Sequence, residues 1–100
     1  MKEYRYINRA LGEFSSEHGY SYEEYVDGFK VMIEASPEYV EALKKEIVEA
    51  CADPEWSWVA ASQAVDFIGV DQDENSVWES VKTLIWNVIA PNEFAPKLRD

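Results

Sequence analysis

Along most of this chain, apolar residues recur with a period close to that of an α-helix. The stretch Trp56 to Val70 (WSWVAASQAVDFIGV) stands apart, because Asp66 is its only charge. At roughly 100° per residue, Trp56, Trp58, Ala60, Ala61, Ala64, Val65, Phe67 and Ile68 spread over about 200° of a helix surface. A stripe of about 100° is enough for a helix resting on one core. The pattern therefore predicts a central helix near residues 54–69 with neighbours on two sides.

The other segments read more simply. Tyr4, Ile7, Ala10, Leu11 and Phe14 share one face, with Arg5, Asn8 and Arg9 opposite, which predicts a helix near residues 2–14. Ser21-Tyr-Glu-Glu24 is a capping box, with hydroxyl and carboxylate each able to satisfy a free amide at a helix start. It opens a helix near 22–35 that turns Tyr22, Tyr25, Val26, Phe29, Met32 and Ile33 inward. Gly28 weakens that helix by about 1 kcal/mol relative to alanine and marks a candidate close crossing. Ser36-Pro37 opens a third helix near 37–51, since proline is tolerated in a first turn. Its inward residues are Tyr39, Val40, Leu43, Ile47, Ala50 and Cys51. Asp53-Pro54-Glu55 repeats the device for the central helix. Ser76-Val-Trp-Glu79 has the form of a second capping box and predicts a helix near 76–90, stopped by Pro91. Residues 91–100 form a tail with Phe94 and Leu98 as possible anchors. Together these segments predict an all-α fold, a compact bundle of about five short helices in a single domain spanning 1–100.

Composition supports a folded chain: 47% of the 100 residues are hydrophobic and 14% aromatic. No apolar run approaches bilayer length and the first ten residues lack the apolar centre of a signal peptide, so the chain reads as cytoplasmic, with no membrane role. The single cysteine, Cys51, reads as a small buried hydrophobe.

Charge changes the picture more. Twenty acids against nine bases give a net charge of −11, which repels nucleic acid and favours basic partners. The acids are also segregated. Between Lys45 and Lys82 there is no Lys or Arg, but there are nine acids: Glu46, Glu49, Asp53, Glu55, Asp66, Asp71, Asp73, Glu74 and Glu79. Between Arg9 and Lys30 there are five more, Glu13, Glu17, Glu23, Glu24 and Asp27, again without a base. A surface built only for solubility mixes both signs.

Candidate chemistry is sparse. His18 is the only histidine and has no neighbour to orient it as a general base. Asp71-Gln-Asp73-Glu-Asn75 resembles the start of a calcium loop, but the sixth position is Ser76 where glycine is needed and the twelfth is Lys82 where a bidentate glutamate is needed. No catalytic residue, metal ligand or cofactor is assigned, and the chain is not read as an enzyme. The aromatics say more. Trp86 lies about 60° beyond the stripe of its helix, Tyr6 is off the stripe of the first helix, and Trp58 is at the margin of the central arc. Such residues either pack under a neighbouring loop or tail, as Phe94 to Leu98 could cover Trp86, or anchor a partner.

Small size, acidity, helices and aromatics beside carboxylates, as in EACADPEW (Glu49 to Trp56), resemble the immunity proteins of bacterial toxin systems, such as those paired with colicins or contact-dependent inhibition toxins. The resemblance is one of type and carries no signature motif. It implies a non-enzymatic inhibitor that neutralises a basic protein partner, a cognate toxin and often a nuclease. The expected partner-binding residues are Glu46, Glu49, Asp53, Glu55, Trp56, Asp71, Asp73, Glu74 and Trp86. The alternatives are an acidic nucleic-acid mimic occupying a DNA- or RNA-binding protein, a small enzyme or metal-binding regulator, and a subunit of a larger assembly.

Overall fold

A computed structural model describes residues 3–98. The predicted positions Met1, Lys2, Arg99 and Asp100 lie outside them. Five helices follow in order: α1 (Arg5–Glu13), α2 (Tyr22–Glu34), α3 (Pro37–Ala52), α4 (Trp58–Ala64) and α5, which begins as Glu74–Val81. The last continues through a π-helical segment, Lys82–Trp86, into a final turn, Asn87–Ile89. The fold is an all-α bundle, and its only β-type contact among the described residues is one isolated bridge between Ser15 and Phe67. α1 packs against α2, α3 and α4, while α4 packs in turn on α5. α1 is therefore the element with neighbours on most sides, and α4 is covered by α1 and α5 as the broad stripe requires.

The capping box of α2 forms as read: Ser21 Oγ accepts the Glu24 amide at 3.2 Å, and Glu24 Oε1 accepts the Ser21 amide at 2.9 Å. Those bonds hold the Glu24 carboxyl below the usual carboxylate range. Pro37 occupies the first turn of α3. Gly28 does not mark a close crossing, because no atom of the described residues lies within 4 Å of where its Cβ would stand.

The central helix is shorter than its pattern, 58–64 in place of 54–69. At its start, Asp53 Oδ1 accepts the Glu55 amide at 2.9 Å and forms a tight turn, so Asp53-Pro54-Glu55 ends one connection without opening a helix. At its end, Asp66 takes a left-handed backbone (φ 53°) and the chain turns back toward α1. There Ser16 N–H donates to the Asp66 carbonyl at 2.7 Å and Ile68 N–H to the Phe14 carbonyl at 2.9 Å. A stripe too wide for one helix is thus accommodated by ending the helix at both sides. Trp56 leaves before it to meet Tyr4, with ring centroids 4.9 Å apart, and Phe67 leaves after it to meet Phe14 at 6.3 Å.

α5 starts two residues earlier than predicted. Its cap is Asp73, whose Oδ2 accepts both the Ser76 amide (2.9 Å) and the Ser76 hydroxyl (3.0 Å), so Ser76 to Glu79 is not a capping box. The π-helical segment inserts one extra residue into the turn, with Asn87 N–H reaching the Lys82 carbonyl. An extra residue sets everything after it back by about 100°. Trp86 is thereby carried from outside the stripe to within it, and Ala90 becomes buried while Val88 moves toward the edge.

Candidate docking surface

The nine residues expected to meet a partner fall into distinct environments. Trp86 is the clearest correction. It is 3% exposed, and its indole N–H donates to the Glu93 carbonyl at 3.3 Å. The tail covers it, so it is no anchor. Phe94, expected to supply that cover, is instead fully exposed, and of the two expected anchors it is Leu98 that packs, half-buried beside Cys51 and Trp56.

Two of the acids cap helices other than their own, and a third accepts a bond from a distant tyrosine. Glu46 reaches from α3 to the start of α1, where its Oε1 accepts the amides of Tyr6 at 2.9 Å and Ile7 at 3.1 Å. Glu74 does the same for α4, accepting from Ser57 Oγ (2.7 Å), Trp58 N–H (2.7 Å) and Val59 N–H (3.1 Å). A carboxylate at a helix N-terminus satisfies orphan amides and suits the positive end of the helix dipole. Asp53 Oδ2 accepts the Tyr4 hydroxyl at 2.6 Å. Burial, followed by that bond, pushes the Tyr4 phenol up to about 12. Half-buried Glu49 lies with Trp86, Lys45 and Glu93 along a separate groove.

Glu55, Asp71 and Asp73 remain exposed, and none of them forms an ion pair among the described residues. Asp71 and Asp73 nevertheless have local work. Asp71 Oδ1 accepts the amides of Gln72 (2.7 Å) and Asp73 (3.2 Å), and Asp73 caps α5. The bonds from Glu74 to residues 57–59 tie the acidic loop to the stretch that carries Asp53 and Glu55. Asp53, Trp56 and Glu74 line one cleft of about 370 Å³ together with Cys51 and Leu98. The structure thus brings Asp53, Pro54 and Trp56 together with Glu74, sets Glu46 beside them through Tyr4, and leaves Glu49 and Trp86 along the other groove.

The remaining candidates have structural surroundings. Cys51 is buried, and desolvation pushes its thiol up to about 12, slightly opposed by the Trp58 indole. Among the described residues the Trp58 indole N–H has no oxygen or nitrogen acceptor, and neither does that of Trp56. His18 Nε2 stands 3.1 Å from the Gly12 carbonyl, with its ring stacked on Tyr20. No group of three His, Cys, Asp or Glu side chains among the described residues is placed to hold a metal ion. No helix among them is long and apolar enough to cross a membrane.

The pattern missed Tyr22. Its period places it on the core face of α2, yet it is 59% exposed at the first position of that helix. Helical spacing gives a direction but not how far the covering elements extend past a helix end, so nothing in the sequence could have separated Tyr22 from Tyr25. No family model matches the chain, and neither a curated protein nor a solved structure matches it.

Proposed function

We propose that this chain is a non-enzymatic inhibitor that binds and neutralises a basic protein, in the manner of the immunity proteins of bacterial toxin systems. The observation that carries the reading is the base-free run from Lys45 to Lys82 together with the exposure of Glu55, Asp71 and Asp73, none paired to a base among the described residues. Local hydrogen bonds at Asp71 and Asp73 fix the loop without neutralising it. Such preorganised charge steers an oppositely charged partner and speeds its capture. A basic nuclease toxin is a partner of fitting chemistry, because a cleft that binds phosphates also attracts carboxylates.

Recovery of the tagged chain from its native host at low salt tests the reading. The expected result is one basic protein held in a one-to-one complex, released by salt but not by added DNA. Capture of several unrelated nucleic-acid-binding proteins, all displaced by DNA, would favour the nucleic-acid mimic instead.

A further inference from the structure

The second surface feature is a groove of about 370 Å³ between the start of α2 and the π-helical segment, bounded by Tyr22, Ile68, Gly69, Ser80, Thr83 and Leu84. Its floor is set by a close approach. A Cβ at Gly69 would stand 2.6 Å from Ser80 Cβ and 2.9 Å from Phe67 Cε2, so the 68–70 loop lies directly on α5. Thr83 and Leu84 come from the π-helical segment, a rare element frequently found at functional sites. The Tyr22 ring stands mostly exposed at one side, and Val70 is exposed just beyond Gly69.

The groove is also where the two base-free spans meet. Tyr22 belongs to the span between Arg9 and Lys30, while Ile68, Gly69 and Ser80 belong to the span between Lys45 and Lys82. Glu79 completes the lining, no Lys or Arg among the described residues lines it, and the adjacent Lys82 is paired with Glu79 at 2.9 Å. The loop leaving it at Gly69 carries exposed Asp71 and Asp73 within four residues.

We infer that this groove is the anchoring site of the basic partner, taking an aliphatic side chain that the partner presents between lysines or arginines. The inference rests on the inhibitor reading and adds where affinity is set. Exposed carboxylates such as Asp71 and Asp73 govern encounter, whereas a desolvated apolar contact beside Tyr22 governs residence time. The other cleft, at Trp56, suits this role less, since Leu98 of the tail already packs there and Asp53 and Glu74 are bonded inward.

Two synthetic peptides test it on the full chain: Lys-Lys-Leu-Lys-Lys and Lys-Lys-Ser-Lys-Lys, titrated at low salt and followed by backbone amide shifts. The leucine peptide should bind about tenfold tighter, the return expected from burying one such side chain. Its shifts should centre on Tyr22, Gly69, Ser80 and Thr83. Tyr22→Ala and Thr83→Arg, both at exposed positions, should abolish that tenfold preference while leaving the serine peptide's binding in place for Tyr22→Ala. Equal binding of the two peptides, with shifts confined to Glu55, Asp71 and Asp73, would overturn the groove and leave the acidic surface standing. Binding of neither peptide would overturn the groove and the inhibitor reading together.

Discussion

Glu74 shows how a single carboxylate can be mistaken for surface charge. In the sequence it is one of three acids in four residues, whereas in the fold it accepts three hydrogen bonds at the start of α4. Hydrogen bonds to a charged acceptor are individually worth more than neutral ones. Glu74→Ala should therefore lower unfolding free energy by about 2 kcal/mol in urea titrations, and Glu74→Gln, which keeps one acceptor, by about half as much. Equal stability of both variants and the native chain would show that α4 does not depend on this cap. Reversing Glu74 to lysine is for that reason a poor probe of partner binding. Glu55→Lys and Asp71→Lys are cleaner, and Asp73→Asn removes charge while keeping a residue suited to capping α5.

At the level of elements, two glycines of similar appearance in the sequence should behave oppositely. Gly28 lies in α2 with open space around it, so Gly28→Ala should raise stability by about 0.5–1 kcal/mol, which thermal or urea unfolding would register. Gly69 lies against Ser80 and Phe67, so Gly69→Ala should cost about 1–3 kcal/mol. Adding Ser80→Gly should recover part of that loss despite its own helix penalty, giving a non-additive double-mutant cycle. An additive cycle would mean that the two residues do not press on each other. What periodicity made legible was element type and number: α2 and α3 lie within a residue of their predicted ends. Boundaries set by tertiary contact were not legible. The ends of α4 depend on Asp53 folding back on Glu55 and on the pairing of residues 66–68 with 14–16, and neither leaves a periodic trace. The π-helical segment was equally silent, and it reverses the reading of Trp86 by rotating that ring inward.

For the whole molecule, segregation of charge along the chain survives folding only in part. Of the acids expected to meet a partner, Glu46, Asp53 and Glu74 are committed to holding α1, Tyr4 and α4 and Glu49 is half-buried, which leaves Glu55, Asp71 and Asp73 exposed. The sequence told where bases are absent, but not which acids the scaffold would use for itself, since a long-range cap looks like any other glutamate. Docking of a basic protein onto that remainder is the central proposal, and the dependence of its association rate on ionic strength tests it most directly. With the basic partner recovered from the host, the native chain should associate about tenfold faster than the Glu55→Lys/Asp71→Lys variant at low salt. The two rates should converge near 1 M salt, where the screening length falls to about 3 Å. Identical rates for native and variant chains at low salt would contradict it.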